Sequence, residues 1–470
     1  MSNSKTISHA TRPSAQLLGQ DAGALEHLTG GGDRISIVKT ITNLWAAGAT
    51  ADTFLPLEYP IKPTEHMLPD SLVHVRLDEP SSIIAYALSS KDYQFQMDRQ
   101  RESQMLVNPA GDNLSLHGSD DGSFHEKHDT FDIQEQLTSA NENHFKIQFV
   151  DKSLRFYCKI FYADQFDALR RNCGFDRYYI DSLSRCVKWS SRGGKSGAAF
   201  LKTKDNRLIM KQLQRSEADA LLRFAPSYFD YMSRAFFSEA NLNTVLTKLF
   251  GYYRIGYKDP ITGESVRMDV IVMENLFYNR KISQLFDLKG STRNRKAERT
   301  DREDEVLLDE NLIQYIYENP IFIREHSKMM LRSSIWNDTL FLSRLNVMDY
   351  SLLVGIDSEK GELVVGIIDF IRTFTWDKRL ESWVKETGLL GGGSREPTIV
   401  TPRQYKRRFR NAMERYFLMV PDKYYISEIE YPSAATGPPV TMAPGLGLTY
   451  GPAGNNMVML PTGPSSVSGV

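Results

Sequence analysis

The chain has 470 residues, of which 41% are hydrophobic and 24% charged, a balance typical of a folded globular protein. Lysine and arginine number 57 and aspartate and glutamate 58, so no net positive field favours general binding to nucleic acid. Three widely spaced cysteines give no CxxC or Cys/His pattern, which fits a reducing, cytoplasmic compartment better than a disulfide framework or a zinc module. No apolar run approaches about 18 residues, so no transmembrane helix is expected.

Composition divides the chain into four predicted regions. Residues 1–107 form an N-terminal region, partly ordered around 60–90, where EPSSIIAYALSS predicts a turn followed by a helix. Residues 108–143 contain few large apolar side chains and predict a flexible linker. A compact domain over 144–431 opens with two alternating, strand-like runs, FKIQFVD and LRFYCKIFYADQF. Residues 432–470 hold seven prolines, seven glycines and no charged residue, which predicts a disordered tail.

The first motif with chemical meaning is a glycine-rich stretch, RGGKSGAAF. It is not a Walker A loop, because Trp189 stands where that motif needs glycine and two predicted strands follow, around a turn at Asp205-Asn206. A glycine-rich hairpin over nucleotide phosphates is the protein-kinase arrangement, and a structural glycine turn is the alternative. The predicted phosphate-binding residues are Gly193, Gly194, Lys195, Ser196 and Gly197.

A lysine on the second of these strands is the next candidate. Lys211 lies among apolar residues, and it can point at nucleotide phosphates as the kinase β3 lysine does, or face water from an edge strand. In the predicted helix that follows, Glu217 is its candidate ion-pair partner, with Asp219 as the competitor. Met268–Met273 predicts a buried strand. The residues after it, Glu274, Asn275 and Leu276, form either an adenine-binding hinge or an ordinary loop.

Two acids flank a predicted hairpin. Asp349 precedes its first strand and Asp369 follows its second, so the two carboxylates can approach each other. In kinases, one such carboxylate orients the substrate hydroxyl and the other holds Mg²⁺ on the phosphates, whereas a structural cap or ion pair is the alternative. The HRD and DFG motifs of protein kinases are absent in their usual form, which makes a true protein kinase a distant interpretation.

Together these motifs resemble a known family. GGKSGAAF, MENLFYNRK, FDLKGSTRNR, VLLDENL, MDYSLLVG, ELVVGIIDFIRTFTWDKRLE and RYFLMVPD are similar to segments of the phosphatidylinositol phosphate kinases. The resemblance is strongest to class III, the PIKfyve-type phosphatidylinositol 3-phosphate 5-kinases, and it covers roughly Lys146 to Asp422. It implies a two-lobed α+β lipid-kinase fold, distantly kinase-like, with antiparallel sheets, helices and an ATP cleft.

The resemblance also implies the reaction and its residues. The expected activity is transfer of the ATP γ-phosphate to the inositol 5-hydroxyl of phosphatidylinositol 3-phosphate, with ATP and Mg²⁺ as cofactors. By motif, Lys211 contacts the ATP phosphates, Asp349 is the catalytic aspartate and Asp369 binds Mg²⁺. The DLKGS segment, Asp287 to Ser291, lies at the active site, and Lys289 is the expected phosphate contact.

The segment after Asp369 is cationic. Nine basic and four acidic residues lie between 377 and 410, and three consecutive glycines interrupt the stretch. A cationic loop suits an anionic lipid surface, although some of these charges simply face water. The residues expected to contact substrate or membrane are Lys378, Arg379, Arg395, Thr398, Lys406 and Arg407. The resemblance implies a peripheral protein on endosomal or vacuolar membranes, with scaffold or regulatory protein partners.

One departure from the family is evident, and two alternative functions stay open. The FYVE zinc finger and the chaperonin-like domain of the long class III enzymes find no match here, so the chain is expected to be a short form, a divergent paralogue or a fragment. A 5-kinase that acts on phosphatidylinositol 4-phosphate is one alternative, disfavoured by PTIVTP within the basic segment. A catalytically dead phosphoinositide-binding scaffold is another, disfavoured by the joint presence of Lys211, Asp349 and Asp369.

Overall fold

The structure is a computed structural model of the chain. The residues it describes are 62–69, 71–107, 132–189, 199–238, 242–299, 305–372, 401–422 and 457–459. Contacts divide the chain into Met1–Phe54, which lies outside the described residues, and Leu55–Val470, to which all of the following refers. Among the described helices, none combines the length and apolar character needed to cross a bilayer.

A small N-terminal segment precedes the first sheet. Helix α1 begins directly after the Glu79-Pro80 turn, as the sequence predicts, and its apolar residues are buried. Residues 132–138, inside the range predicted as linker, form a further helix in which Ile133 and Leu137 are buried, so this part is folded. The named elements are β1 (Glu65–His66), β2 (Val75–Arg76), α1 (Ser81–Ser89) and α2 (Lys91–Val107).

The first lobe is built on a seven-stranded antiparallel sheet with the order β3-β4-β8-β9-β7-β6-β5. Alternate residues of its edge strand β3 are buried and exposed, because successive side chains of a strand point to opposite faces. Its elements are β3 (Phe145–Asp151), β4 (Leu154–Phe161), α3 (Ala163–Asn172), α4 (Asp176–Leu183), β5 (Cys186–Trp189), β6 (Phe200–Thr203), β7 (Leu208–Leu213), α5 (Arg215–Phe237), β8 (Leu249–Lys258) and β9 (Ser265–Glu274).

The second lobe is built on a smaller sheet with the order β11-β10-β13-β14-β16. Its elements are β10 (Ile282–Leu288), β11 (Val306–Leu307), α6 (Asp309–Glu318), β12 (Phe322–Arg324), α7 (Glu325–Arg344), β13 (Ser351–Asp357), β14 (Glu362–Ile368), α8 (Pro402–Tyr416), β15 (Leu418–Val420) and β16 (Met457–Met459). Strand β16 pairs with Glu362–Val364, so these three residues of the predicted disordered tail are placed in the sheet. The predicted α+β fold of helices and antiparallel sheets is confirmed.

Candidate active site

The site centres on a buried lysine that joins the two lobes. Strand β7 places Lys211 with 3% of its surface exposed, and its Nζ lies 2.9 Å from Oδ1 of Asp369 in the second lobe. The same Nζ lies 3.4 Å from Oε1 of Glu217 in the first turn of α5. Glu217 rather than Asp219 is therefore the partner of the lysine, the first of the two candidates from the sequence.

The helix start explains how Glu217 reaches this position. The Gln214 backbone N–H donates a hydrogen bond to Oε2 of Glu217 at 3.1 Å, which satisfies a donor at the helix N-terminus. The other oxygen, Oε1, accepts from Lys211 and also from Nε of Arg372, at 3.1 Å. The Glu217 carboxylate thus contacts the start of α5, Lys211 and the segment that follows Asp369.

Both acids of this cluster are held in their ionised form. Burial raises the pKa of the Glu217 carboxyl, but Lys211, the Gln214 N–H and Arg372 outweigh it, and the pKa lies below its usual range. Burial likewise raises the pKa of Asp369, and Lys211, Arg372 and Lys289 together bring it below its usual range. The side chain of Asp369 nevertheless remains 43% exposed, so it can accept a further cation.

The register of the second sheet gathers three candidate residues at one edge. Leu288 pairs with Leu352, and Leu352 pairs with Ile367, so β10 ends where β13 begins and β14 ends. Lys289, Asp349 and Asp369 adjoin these three strand ends. The predicted hairpin is confirmed, and its two aspartates lie at the same end of it.

The two aspartates share an uncommon backbone conformation. Asp349 has φ 65° and Asp369 has φ 58°, both in the left-handed region that non-glycine residues rarely adopt. Such conformations persist only where neighbouring contacts impose them, and they concentrate at functional sites. After Asp349, the buried Tyr350 ring packs edge-on against Tyr405 and Phe409, and the Tyr405 hydroxyl donates to the Tyr350 carbonyl. Helix α8 therefore holds the segment that presents Asp349.

A second buried carboxylate shapes the DLKGS turn. Asp309, fully buried at the start of α6, accepts hydrogen bonds from the backbone N–H groups of Lys289 and Gly290, at 2.7–3.1 Å. It also accepts from Nε of Arg295 at 2.9 Å and from the Tyr416 hydroxyl at 3.1 Å. These donors hold the turn rigid, and Lys289 remains close enough to lower the pKa of Asp369.

The predicted hinge residues connect the two sheets. Asn275 donates through its backbone N–H to the Arg207 carbonyl and through its amide to the Asn206 carbonyl. The Glu274 side chain is buried and pairs with Lys248, while burial keeps its pKa raised. Leu276 is buried against Gly366 of β14. The side chains of these three residues thus anchor the connection between the two sheets.

Of the other predicted residues, the structure describes only Lys406 and Arg407. Lys406 and Arg407 lie on the first turns of α8, where Lys406 is half-buried and Arg407 is exposed. Neither is paired with an acid among the residues the structure describes. The remaining predicted residues lie outside the described residues: Gly193, Gly194, Lys195, Ser196, Gly197, Lys378, Arg379, Arg395 and Thr398.

Sequence reasoning missed two residues that organise the site. Arg372 pairs with Glu217 although 155 positions separate them, and a single sequence carries no signal for such a contact. Asp309 was visible only as part of the VLLDENL motif. An acid at the start of a helix ordinarily caps that helix. The sequence therefore gives no sign that Asp309 also accepts hydrogen bonds from four donors, three in the loop after β10 and one on α8.

Known proteins match the chain closely. A sequence model of the family described as Phosphatidylinositol-4-phosphate 5-Kinase matches residues 182–363 and 357–416, together half of the chain. The chain is 46% identical over 452 residues to 1-phosphatidylinositol 3-phosphate 5-kinase FAB1 of Saccharomyces cerevisiae, covering 83% of this chain and 20% of the yeast protein. It is 51% identical over 286 residues to 1-phosphatidylinositol 3-phosphate 5-kinase of Homo sapiens, covering 60% of this chain and 14% of the human protein. The chain thus spans about a fifth or less of these relatives.

Proposed function

Because the chain belongs to the phosphatidylinositol phosphate kinase family, as the class III resemblance implies, we propose that it is an ATP-dependent lipid kinase. Its proposed reaction moves the γ-phosphate of ATP to the 5-hydroxyl of phosphatidylinositol 3-phosphate, which gives phosphatidylinositol 3,5-bisphosphate. The observation that carries the proposal is the contact of Lys211 on one sheet with Asp369 on the other. In kinases a lysine so placed contacts the phosphates, and the acid beside it binds their metal ion.

Each residue has a distinct task in this proposal. Lys211 binds the ATP phosphates and is oriented by Glu217. Asp349 accepts a hydrogen bond from the inositol 5-hydroxyl and aligns its oxygen with the γ-phosphorus, and Lys289 contacts a phosphate group at the same edge. Phosphoryl transfer depends mainly on such positioning and on stabilisation of charge, so a rigid sheet edge is a suitable platform.

Asp369 fits the role of a magnesium ligand. It uses one oxygen for Lys211, and its side chain is 43% exposed, so the other oxygen is available to a cation. No cluster of three potential ligands occurs among the described residues. That arrangement suits Mg²⁺, which ordinarily binds one or two carboxylates together with substrate phosphates and water. When bound, Mg²⁺ neutralises the developing charge on the phosphates.

The 3-phosphate lipid is proposed as the substrate, rather than the 4-phosphate lipid, because of the names of the relatives. The matching family description names the 4-phosphate lipid, whereas the yeast and human relatives, at 46% and 51% identity, are named for the 3-phosphate lipid.

Arg403, Lys406 and Arg407 on α8 lack acidic partners among the described residues, so they are available to an anionic bilayer. We place the protein peripherally on membranes that carry this lipid, endosomal or vacuolar in the family.

The test is a comparison of two liposomes that differ only in the phosphoinositide. The chain is incubated with ATP and Mg²⁺ and with vesicles containing either the 3-phosphate or the 4-phosphate lipid, and products are separated by headgroup. Faster formation of the 3,5-bisphosphate is expected. Faster turnover of the 4-phosphate lipid would overturn the substrate assignment, and binding to vesicles without turnover of either lipid would favour the scaffold alternative.

A further inference from the structure

The carboxylate of Glu79, far in sequence from the proposed catalytic residues, contacts the edge strand β5 of the first lobe. Glu79, in the turn before α1, accepts hydrogen bonds from Nε and Nη2 of Arg185, at 2.9–3.2 Å. It also accepts from the backbone N–H of Cys186, the first residue of β5, at 2.9 Å. Nζ of Lys204, just after β6, lies 3.3 Å from the same carboxylate. One side chain therefore contacts both strands of the β5–β6 hairpin at its open end, where Cys186 pairs with Thr203.

The carboxylate is well fixed at its own end. The Glu79 backbone N–H donates to the Arg76 carbonyl, and the Ser82 hydroxyl donates to the Glu79 carbonyl at 2.7 Å. Glu79 is 8% exposed, and its partners lower the carboxyl pKa although burial raises it. Charge-assisted hydrogen bonds in a buried setting are among the stronger contacts of a fold, and losing the acceptor leaves the donors unsatisfied.

The hairpin leads directly to the catalytic lysine. Cys186 pairs with Thr203 across β5 and β6, and Phe200 of β6 pairs with Lys211 of β7. Strand β5 is the last strand of the seven-stranded sheet, so it has a neighbouring strand on one side only. An edge strand of four residues is easily displaced, and here Glu79 supplies the missing acceptor for its first N–H group.

We infer that Glu79 is a positioning residue for nucleotide binding, which holds the β5–β6 hairpin in register against the strand of Lys211. The inference rests on the proposed function, since it assumes that ATP binds beside Lys211. Glu79 precedes residue 182, the first residue matched by the family sequence model, so the inference extends nucleotide binding in the first lobe to a segment outside that match.

The test compares two isosteric variants in the full chain. Glu79→Gln removes the charge that holds the hairpin. Glu65→Gln is the matched control, because Glu65 is a similarly buried acid that pairs with Arg76 within the N-terminal segment and does not contact the hairpin. The readouts are the dissociation constant of a fluorescent ATP analogue, the KM values for ATP and for lipid vesicles, hydrogen exchange of β5 and β6, and the unfolding temperature.

Glu79→Gln is expected to weaken ATP binding and raise the KM for ATP about tenfold, the size that losing charge-assisted hydrogen bonds allows, with the KM for lipid within about twofold. Amide exchange should rise in β5 and β6, and Glu65→Gln should leave both KM values unchanged. Arg185→Gln should add little to Glu79→Gln, because the two side chains act through one contact.

Two results would overturn the inference. The first is a lower unfolding temperature in Glu79→Gln with unchanged ATP affinity and KM, which would make Glu79 purely structural. The second is an equal effect of Glu65→Gln on the ATP readouts. The proposed function fails separately: if the unaltered chain binds ATP but phosphorylates neither lipid, the shift in ATP affinity and the exchange data still decide the role of Glu79. If the unaltered chain binds no ATP, both fail.

Discussion

At the scale of single residues, the site is a small network of opposite charges. Lys211 lies between two carboxylates, and Glu217 lies between two cations. Burying a charge is costly unless it is paired and hydrogen-bonded, so each member depends on the others. Glu217 is buried among its partners, whereas the side chain of Asp369, at the end of β14, remains partly exposed and can bind another group.

Replacing the lysine tests this network. Lys211→Met should lower kcat/KM by about a hundredfold or more, the loss seen when one group that stabilises developing charge is removed. It should also change the dependence of stability on pH. The pKa values of Glu217 and Asp369 are lowered in the folded state, so their contribution is present above the unfolded values near 4 and is lost as the pH falls.

The stability gap between the original chain and Lys211→Met should therefore be larger at pH 6 than at pH 3.5, as measured by urea denaturation. Lys146→Met is the matched control, because Lys146 is an exposed lysine on the edge strand β3 of the same sheet. A gap that does not change with pH, or an equal loss of activity in the control, would contradict the network.

The residues that the structure brings together in the candidate site could be selected from the sequence more easily than the residues that hold them in place. Lys211, Glu217 and the paired aspartates stand in a kinase-like order along the chain, and their local patterns mark strand, helix and hairpin. Arg372, Glu79 and the four donors to Asp309 act through contacts between distant segments. Such contacts follow from the packing of whole elements, which a single sequence does not encode in any local pattern.

At the scale of elements, the site lies at one edge of the second sheet, and helices α6 and α8 contact the turn after β10 at that edge. The turn after β10 is held by Asp309, and Gly290 within it has φ 70° and lies so close to Phe409 and Ala412 of α8 that a Cβ would crowd them. Glycine is needed there for both reasons. The position of Lys289 is thus set by a helix start on one side and a packed helix on the other.

Removing one charge from this support should loosen the edge. Asp309→Asn should lower the free energy of unfolding by about 2 kcal/mol, because the Arg295 guanidinium keeps Asp287 but loses its second charged partner, and the turn loses a charged acceptor. It should also lower kcat, since the Lys289 turn is no longer fixed. Glu310→Gln is the adjacent control, a partly exposed acid whose pair with Lys296 spans 3.8 Å. Equal stability of the two variants in chemical denaturation would refute this role for Asp309.

Strand and helix patterns were predicted well where periodicity was strong. The β3–β4 hairpin follows the alternation in the sequence, and the β6–β7 and β13–β14 hairpins occur where the sequence predicts two strands around a turn. Asn206, with φ 62°, forms the expected turn before β7. The run LRFYCKIFYADQF was read as one strand, but β4 ends at Phe161 and α3 begins at Ala163. Tyr162 between them has φ 51°, and its burial overrides the preference of a bulky residue for φ below zero.

At the scale of the whole molecule, the two lobes are joined by more than the hinge. The segment before β8 pairs with β14 of the second sheet, where Ile367 donates to the Val245 carbonyl at 2.7 Å and accepts from the Thr247 N–H at 3.0 Å. Asp338 of α7, fully buried, accepts from the Val245 N–H at 2.8 Å and holds this crossing segment in place. The contact between Lys211 and Asp369 therefore lies across a well-connected interface between the lobes.

The most direct test of the central claim is phosphate transfer to vesicles containing phosphatidylinositol 3-phosphate, with Asp349→Asn beside the unaltered chain. Asp230→Asn, on the exposed face of α5, is the matched control, and vesicle binding is recorded for all three proteins. We predict that the unaltered chain and Asp230→Asn make the 3,5-bisphosphate. Asp349→Asn should still bind the vesicles but lose at least about a hundredfold in turnover. Turnover by Asp349→Asn equal to that of the unaltered chain would contradict the assignment of the catalytic edge, and no turnover by the unaltered chain would contradict the proposed reaction.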